Sequence, residues 1–228
     1  MSARRRLGLL GGTFDPIHYG HLDAAEAARQ TLALDEVWLL PSHVPPHRSQ
    51  DPVATPFHRF ALAALAIADR VTYRVSDIEL RRTGRTYTVD TLRSLHEQGW
   101  TYSQLFFILG TDAFAEIATW HQYPDVLDAA NFVVIARPGT TVGAAVSRTP
   151  ELLPRVCTPE AFKADNSPQI VVVAADTRAV SSTTVRERLR TSQPIDGLVP
   201  PAVEHHIVTH HLYKAVDHLH GESTGPIS

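Results

Sequence analysis

Short apolar runs rich in β-branched and aromatic residues alternate along this chain with longer segments of helical periodicity, and this alternation constrains the fold more than any other feature. The pattern predicts strands at residues 7–10, 36–40, 71–80, 105–109, 132–136 and 170–174, the third of them longer and partly polar. It predicts helices at 21–31, 56–68, 88–98, 113–119, 183–190 and 201–213. Strands separated by helices build βαβ units, whose strands pair in parallel and are buried on both faces. The expected architecture is therefore α/β: a doubly wound, Rossmann-like, mostly parallel sheet with helices on both faces. In such sheets a ligand sits outside the carboxyl ends of the strands, where the strand order reverses. That places residues 11–20, the loop after the first strand, at the expected crevice.

Residues 1–213 read as one domain. A chain of this length buries about 70% of its unfolded surface, so neither disulfides nor a structural metal is needed to complete the core. The lone Cys157 cannot form an internal disulfide and fits a reducing compartment. Residues 139–168 contain Pro150, Pro154, Pro159 and Pro168 without clear periodicity, so they are expected to form an irregular excursion with room for one short helix. Residues 214–228 are expected to be a poorly ordered tail. The longest apolar run, 60–68, is far short of the roughly 20 residues that cross a bilayer. Arg4, Arg5 and Arg6 precede a stretch broken by Gly8, Gly11 and Gly12, so no secretory leader is expected and the chain reads as cytoplasmic. The net charge of −3 argues against dedicated nucleic-acid binding. Homo-oligomer formation stays open.

Two constellations carry chemistry. In the first, Gly11 and Gly12 let the backbone approach a ligand closely, and Thr13 adds a hydroxyl with its amide toward a phosphate. His18 and His21 then stand three apart at the start of the next helix, where its N-terminus attracts an anion. The loop is neither a P-loop nor a Gly-x-Gly-x-x-Gly fingerprint. In the second, Ser181, Ser182 and Thr183 lead into a helix that carries Arg186 one turn in, with Glu187 available for a capping interaction. One hydroxyl serves as N-cap; the others, with free amides and a guanidinium, suit a polyphosphate. His206 and His210 stand four apart, but lacking a His-Glu-x-x-His pattern or a nearby cysteine they read as a polar helix face, and no protein metal site is expected.

With these residues in view, the chain resembles the bacterial nicotinate-mononucleotide adenylyltransferases, nucleotidyltransferases with His-x-Gly-His and Ile-Ser-Ser-Thr-x-x-Arg motifs. The likeness extends to about Tyr213 and includes Pro45-Pro46-His47-Arg48, Tyr87-Thr88-Val89-Asp90-Thr91-Leu92, Gly110-Thr111-Asp112, Trp120, Arg137-Pro138-Gly139 and His211-Leu212-Tyr213. Val180 replaces the usual Ile, and His121 stands where relatives often have Tyr. The resemblance implies transfer of AMP from ATP to nicotinate mononucleotide, giving deamido-NAD and pyrophosphate. It implies His18, His21 and Arg186 as catalytic residues, and Gly11, Gly12, Thr13, Phe14, Ser181, Ser182, Thr183, Gly110, Asp112 and Arg137 on the ATP side. Thr88, Val89, Trp120 and His121 would then hold the nicotinate, and His47 and Arg48 the mononucleotide phosphate.

The implied chemistry agrees with the residue types. A phosphate monoester is mostly dianionic at neutral pH and needs no general base, so the site must supply positive charge and alignment. Mg²⁺ is expected as a cofactor held mainly by ATP phosphates and water. Two rivals remain open: an adenylyltransferase for another phosphorylated acceptor, and a non-catalytic nucleotide sensor on the same fold.

Overall fold

The structure, a computed structural model, describes residues 5–44, 52–136, 146–164 and 167–214. The strands are β1 (Leu7–Gly12), β2 (Glu36–Pro41), β3 (Tyr73–Val75), β4 (Leu105–Gly110), β5 (Asn131–Ala136), β6 (Val156–Cys157) and β7 (Ile170–Ala174). The α-helices among the described residues are α1 (Tyr19–Thr31), α2 (Pro56–Ala66), α3 (Thr88–Glu97), α4 (Thr111–Ala115), α5 (Ser182–Arg190) and α6 (Pro201–Thr209). The strands form one sheet in the order β3-β2-β1-β4-β5-β7-β6, and every described pairing is parallel.

Alternation along the strands divides the core. Leu7, Leu9, Phe107, Phe132 and Val134 face one layer, which Val89, Leu92 and Leu95 of α3 cover. Leu10, Ile108, Val133 and Val171 face the other, packed against Leu22 and Ala25 of α1, Leu62 of α2, Val185 of α5 and Ile207 of α6. Burial on both faces is what near-continuous apolar strands require. Chain order reverses between β1 and β4. These two pair only as far as Leu10 and Ile108, whereas β1 stays paired with β2 to Gly12 and β4 with β5 to Gly110. The strands therefore part at their carboxyl ends, and the crevice opens there.

Four boundaries depart from the sequence reading. The strand predicted over 71–80 shrinks to three residues at the sheet edge; the chain leaves the sheet after Ser76, and Glu79 turns inward to accept the Thr91 hydroxyl of α3 at 2.9 Å. The helix predicted over 113–119 begins earlier, at Thr111, and breaks at Glu116 into a 3₁₀ turn, Ile117–Thr119. α6 stops at Thr209, and His211 and Tyr213 adopt the left-handed conformation, φ 51° and 64°, which ends the helix. The described part of the 139–168 excursion holds a 3₁₀ helix, Pro150–Arg155, and the edge strand β6, which pairs with β7. Among the described residues no helix is long and apolar enough to cross a membrane.

Candidate active site

At the parting of β1 and β4 lies an open cleft of about 170 Å³, lined by Gly11, Gly12 and Thr13, by Thr88 at the start of α3, and by Trp120 and His121 after the 3₁₀ turn. The two glycines prove necessary for packing as well. A Cβ on Gly12 would fall 2.9 Å from the Phe14 ring, and one on Gly11 would fall 3.0 Å from Phe107. Phe14 is 1% exposed and belongs to the core, so only its backbone can face a phosphate. At Gly110 the reverse holds: a Cβ would meet nothing within 4 Å, and packing does not call for glycine there.

His18 caps α1 in an extended conformation and His21 lies in its first turn, the two rings stacked with centroids 3.7 Å apart. His18 is 7% exposed. Burial pushes its pKa down to about 4, against an opposing pull from Asp23, so the ring is neutral at pH 7. The backbone amide of His18 donates to Nδ1 of His21 at 3.3 Å, which leaves the proton of a neutral His21 ring on Nε2. The motif glycine has its own reason: a side chain at Gly20 would come within 3.0 Å of the Arg178 carbonyl.

That close approach docks the segment before α5 onto α1. Arg178 donates from Nε and Nη2 to the Asp23 carboxylate at 2.9 and 2.7 Å and from its backbone amide at 3.0 Å, while its guanidinium covers the Tyr19 ring at 3.6 Å. The guanidinium holds the Asp23 carboxyl below its usual range. The start of α5 is tied to the first loop as well: the Ser182 hydroxyl donates to Pro16 O at 2.9 Å, and Arg186 donates to Asp15 O at 2.7 Å and to the Thr183 hydroxyl at 3.3 Å. Ser181 is the N-cap, accepting from the Thr184 amide at 3.1 Å. The capping role expected of Glu187 falls away, since Thr184 occupies the third position of the helix. His18, His21, Ser182 and Arg186 thus gather around one loop from opposite ends of the chain.

At the other end of the cleft, Trp120 meets Phe107 edge-on with centroids 5.9 Å apart, and the exposed His121 ring lies 4.3 Å from that of Tyr87. Thr88 and Val89 occupy the first turn of α3, whose amides have no acceptor within the helix. Val89 itself is buried at 6%, so it can contribute only through its backbone. Glu79 also lines the cleft, and burial raises its carboxyl above the ordinary range. Asp112 is exposed in the first turn of α4, beyond the Gly110 cap. His47, Arg48 and Arg137 lie outside the described residues.

Sequence reasoning missed the residues behind the loop. Asp15, 1% exposed, accepts from the amides of Val53 and Ala54 at 2.8 and 3.0 Å and from the Tyr213 hydroxyl at 2.8 Å. Burial raises the Tyr213 phenol above its usual value. The closing Tyr213 was a signal without a role until folding brought it to Asp15. His206 meets His58 of α2, ring nitrogens 3.1 Å apart, with His210 beside them; among the described residues no group of three or more His, Cys, Asp or Glu could hold a metal ion.

Residues 9–188 match the cytidylyltransferase-like family. A probable nicotinate-nucleotide adenylyltransferase of Desulfitobacterium hafniense strain Y51 is 38% identical over 92% of this chain and 96% of its own length. One from Tropheryma whipplei strain Twist is 40% identical over 91% and 99%. Among solved structures, the nicotinic acid mononucleotide adenylyltransferase of Plasmodium falciparum, complexed with NaAD, superposes with a TM-score of 0.70 at 18% identity, covering 92% of this chain and 97% of that one. That last likeness is one of fold.

Proposed function

The chain belongs to the cytidylyltransferase-like family and, within it, to the nicotinate-nucleotide adenylyltransferases, and from that premise we propose how its crevice moves AMP from ATP onto nicotinate mononucleotide, forming deamido-NAD and pyrophosphate in NAD biosynthesis. One observation carries the assignment of roles: the stacked His18 and His21 and the docked start of α5 share the loop that opens the cleft.

The acceptor phosphate is the nucleophile and is already dianionic, so no side chain needs to remove a proton. In-line attack on the α-phosphorus forms a P–O bond on one side and releases pyrophosphate on the other, placing charge on the equatorial and leaving oxygens. His21, with its ring proton on Nε2, and His18, neutral at pH 7, donate hydrogen bonds in the α/β region. Preorganised donors of this kind stabilise charge as it develops. Thr13 and the first-loop amides take the bridging region. The Ser181 and Thr183 hydroxyls, the Ser182 backbone amide and the Arg186 fork hold the β- and γ-phosphates, the Ser182 hydroxyl being committed to Pro16 O, while Gly110, Asp112 and Arg137 serve the adenosine. Trp120 offers an aromatic face to the pyridinium ring, Thr88 and the backbone amides of Val89 and His121 take its carboxylate, and His47 and Arg48 its phosphate.

Among the described residues the donor set around the first loop is imidazole, hydroxyl and guanidinium, Asp23 is engaged by Arg178, and no group of carboxylates there forms an oxygen cage for magnesium. Mg²⁺ would come with ATP, held mainly by phosphates and water, and would neutralise charge on the leaving pyrophosphate. The slightly acidic balance, −3, supports small-molecule partners rather than nucleic acid, and the single cysteine fits a cytoplasmic enzyme. Pyrophosphate release from ATP plus nicotinate mononucleotide tests the proposal. Turnover that needs both substrates is expected; release independent of the acceptor, or turnover only with a different phosphorylated acceptor, overturns it.

A further inference from the structure

Arg59, near the start of α2, is fully buried, a costly place for a charge unless it is well hydrogen-bonded. Among the described residues it donates to main-chain carbonyls on both banks of the crevice. Nη1 donates to Thr13 O at 2.8 Å and to Ser42 O at 2.6 Å, Nη2 to His43 O at 3.1 Å, and Nε to Ala54 O at 3.3 Å. Thr13 follows β1 and Ser42 follows β2, and both line the cleft. The Ser42 amide itself donates to Gly12 O at 2.9 Å, which ties the two banks together.

A trans peptide points its N–H opposite to its C=O. The peptides 13–14 and 42–43 are trans. With their carbonyls drawn inward to a guanidinium sealed from solvent, the N–H groups of Phe14 and His43 are turned the other way, away from Arg59. Resting on the phosphate-handling site described above, we propose that Arg59 is a positioning residue: it sets the orientation of the Phe14 amide as a donor to the ATP phosphates and of the His43 amide as a donor to the acceptor phosphate. A planar fork is required for this, because it meets several carbonyls lying in different directions at fixed angles, which an ammonium on a flexible stem does not reproduce.

The test is a titration of the isotopically labelled full chain with pyrophosphate and, separately, with nicotinate mononucleotide, following backbone amides by NMR, on wild type and Arg59→Lys, together with KM and kcat. In wild type the Phe14 amide shifts with pyrophosphate along with the His21 ring, and the His43 amide shifts with nicotinate mononucleotide along with the Thr88 amide. In the Lys variant the His21 ring and the Thr88 amide still respond, the Phe14 and His43 amides respond weakly, and KM rises by about tenfold or more for both substrates, the loss expected for misdirected phosphate hydrogen bonds. A lowered melting temperature with unchanged KM and unchanged amide response makes Arg59 merely structural and overturns the proposal. Should the Lys variant fail to fold, wild type decides: a His21 response without a Phe14 shift, or a Thr88 response without a His43 shift, overturns it equally. If neither the ring nor the amides respond and no turnover occurs, it is the reading of the site that fails.

Discussion

Acidification should destabilise this protein through His18 in particular. The ring is 7% exposed with Nδ1 buried, and its pKa falls from 6.5 to about 4 on folding. Between those values the unfolded chain binds a proton that the folded chain refuses, so stability falls as pH drops through the window. The contribution is intact above pH 6.5 and fully lost only below about pH 4. With 6.5 − 4 = 2.5 and about 1.36 kcal/mol per pKa unit, His18 alone removes about 3 kcal/mol across the window, a large part of the roughly 5–15 kcal/mol that holds a domain folded. His206, also lowered by burial and its histidine neighbours, acts in the same direction, so the comparison must be with His18→Gln, which keeps His206. Urea unfolding of both proteins at several values from about pH 7.5 to 4.5 should show the wild type losing the extra stability. An NMR titration of the His18 ring gives the pKa directly. Parallel pH dependences in the two proteins, or a His18 ring that titrates near 6.5, would refute the reasoning.

Replacing His21 with Ala should lower kcat by about 10²-fold or more while changing the KM for nicotinate mononucleotide much less, because its donor acts mainly in the transition state; steady-state kinetics with an unchanged kcat would remove it from the catalytic set. Arg186→Lys should impair ATP use despite keeping the charge, since a lysine cannot replace a fork that reaches both Asp15 O and Thr183; wild-type ATP kinetics would contradict this. Wild type should prefer nicotinate over nicotinamide mononucleotide by roughly 10²–10⁴-fold, from two mismatched buried donors at about 1–3 kcal/mol each. Thr88→Val should narrow that preference with the ATP KM nearly unchanged, measured as kcat/KM for the two acceptors; a weakened ATP KM would move Thr88 out of the acceptor pocket.

Local patterning determined the class of this fold and the place of its crevice. Apolar runs of strand length separated by helical periodicity admit few arrangements other than a parallel sheet wrapped on both faces, and the Gly-rich loop after β1 falls at the order reversal because the chain crosses from β3 to β4 there. His18, His21, Ser182 and Arg186 were legible for the same reason, since their chemistry sits in short contiguous strings. Thr88 and Trp120 became legible through family likeness, and only the cleft brings them to one wall.

Other features depend on contacts between residues distant in sequence, which no local pattern carries. β3 is an edge strand with one neighbour and ends at Val75, and the chain beyond it carries Glu79 to the Thr91 hydroxyl of α3. Gly11 and Gly12 looked like concessions to a ligand, and they also stand against Phe107 and Phe14, as Gly20 stands against the Arg178 carbonyl. The local sequence assigns no role to Arg59 or Asp15. Tertiary packing buries both: Arg59 donates to Thr13 O of the first loop, and Asp15 of that loop accepts from the amides of Val53 and Ala54 and from the Tyr213 hydroxyl, because loops between strands and helices leave carbonyls and amides without regular partners, and groups from elsewhere in the chain satisfy them.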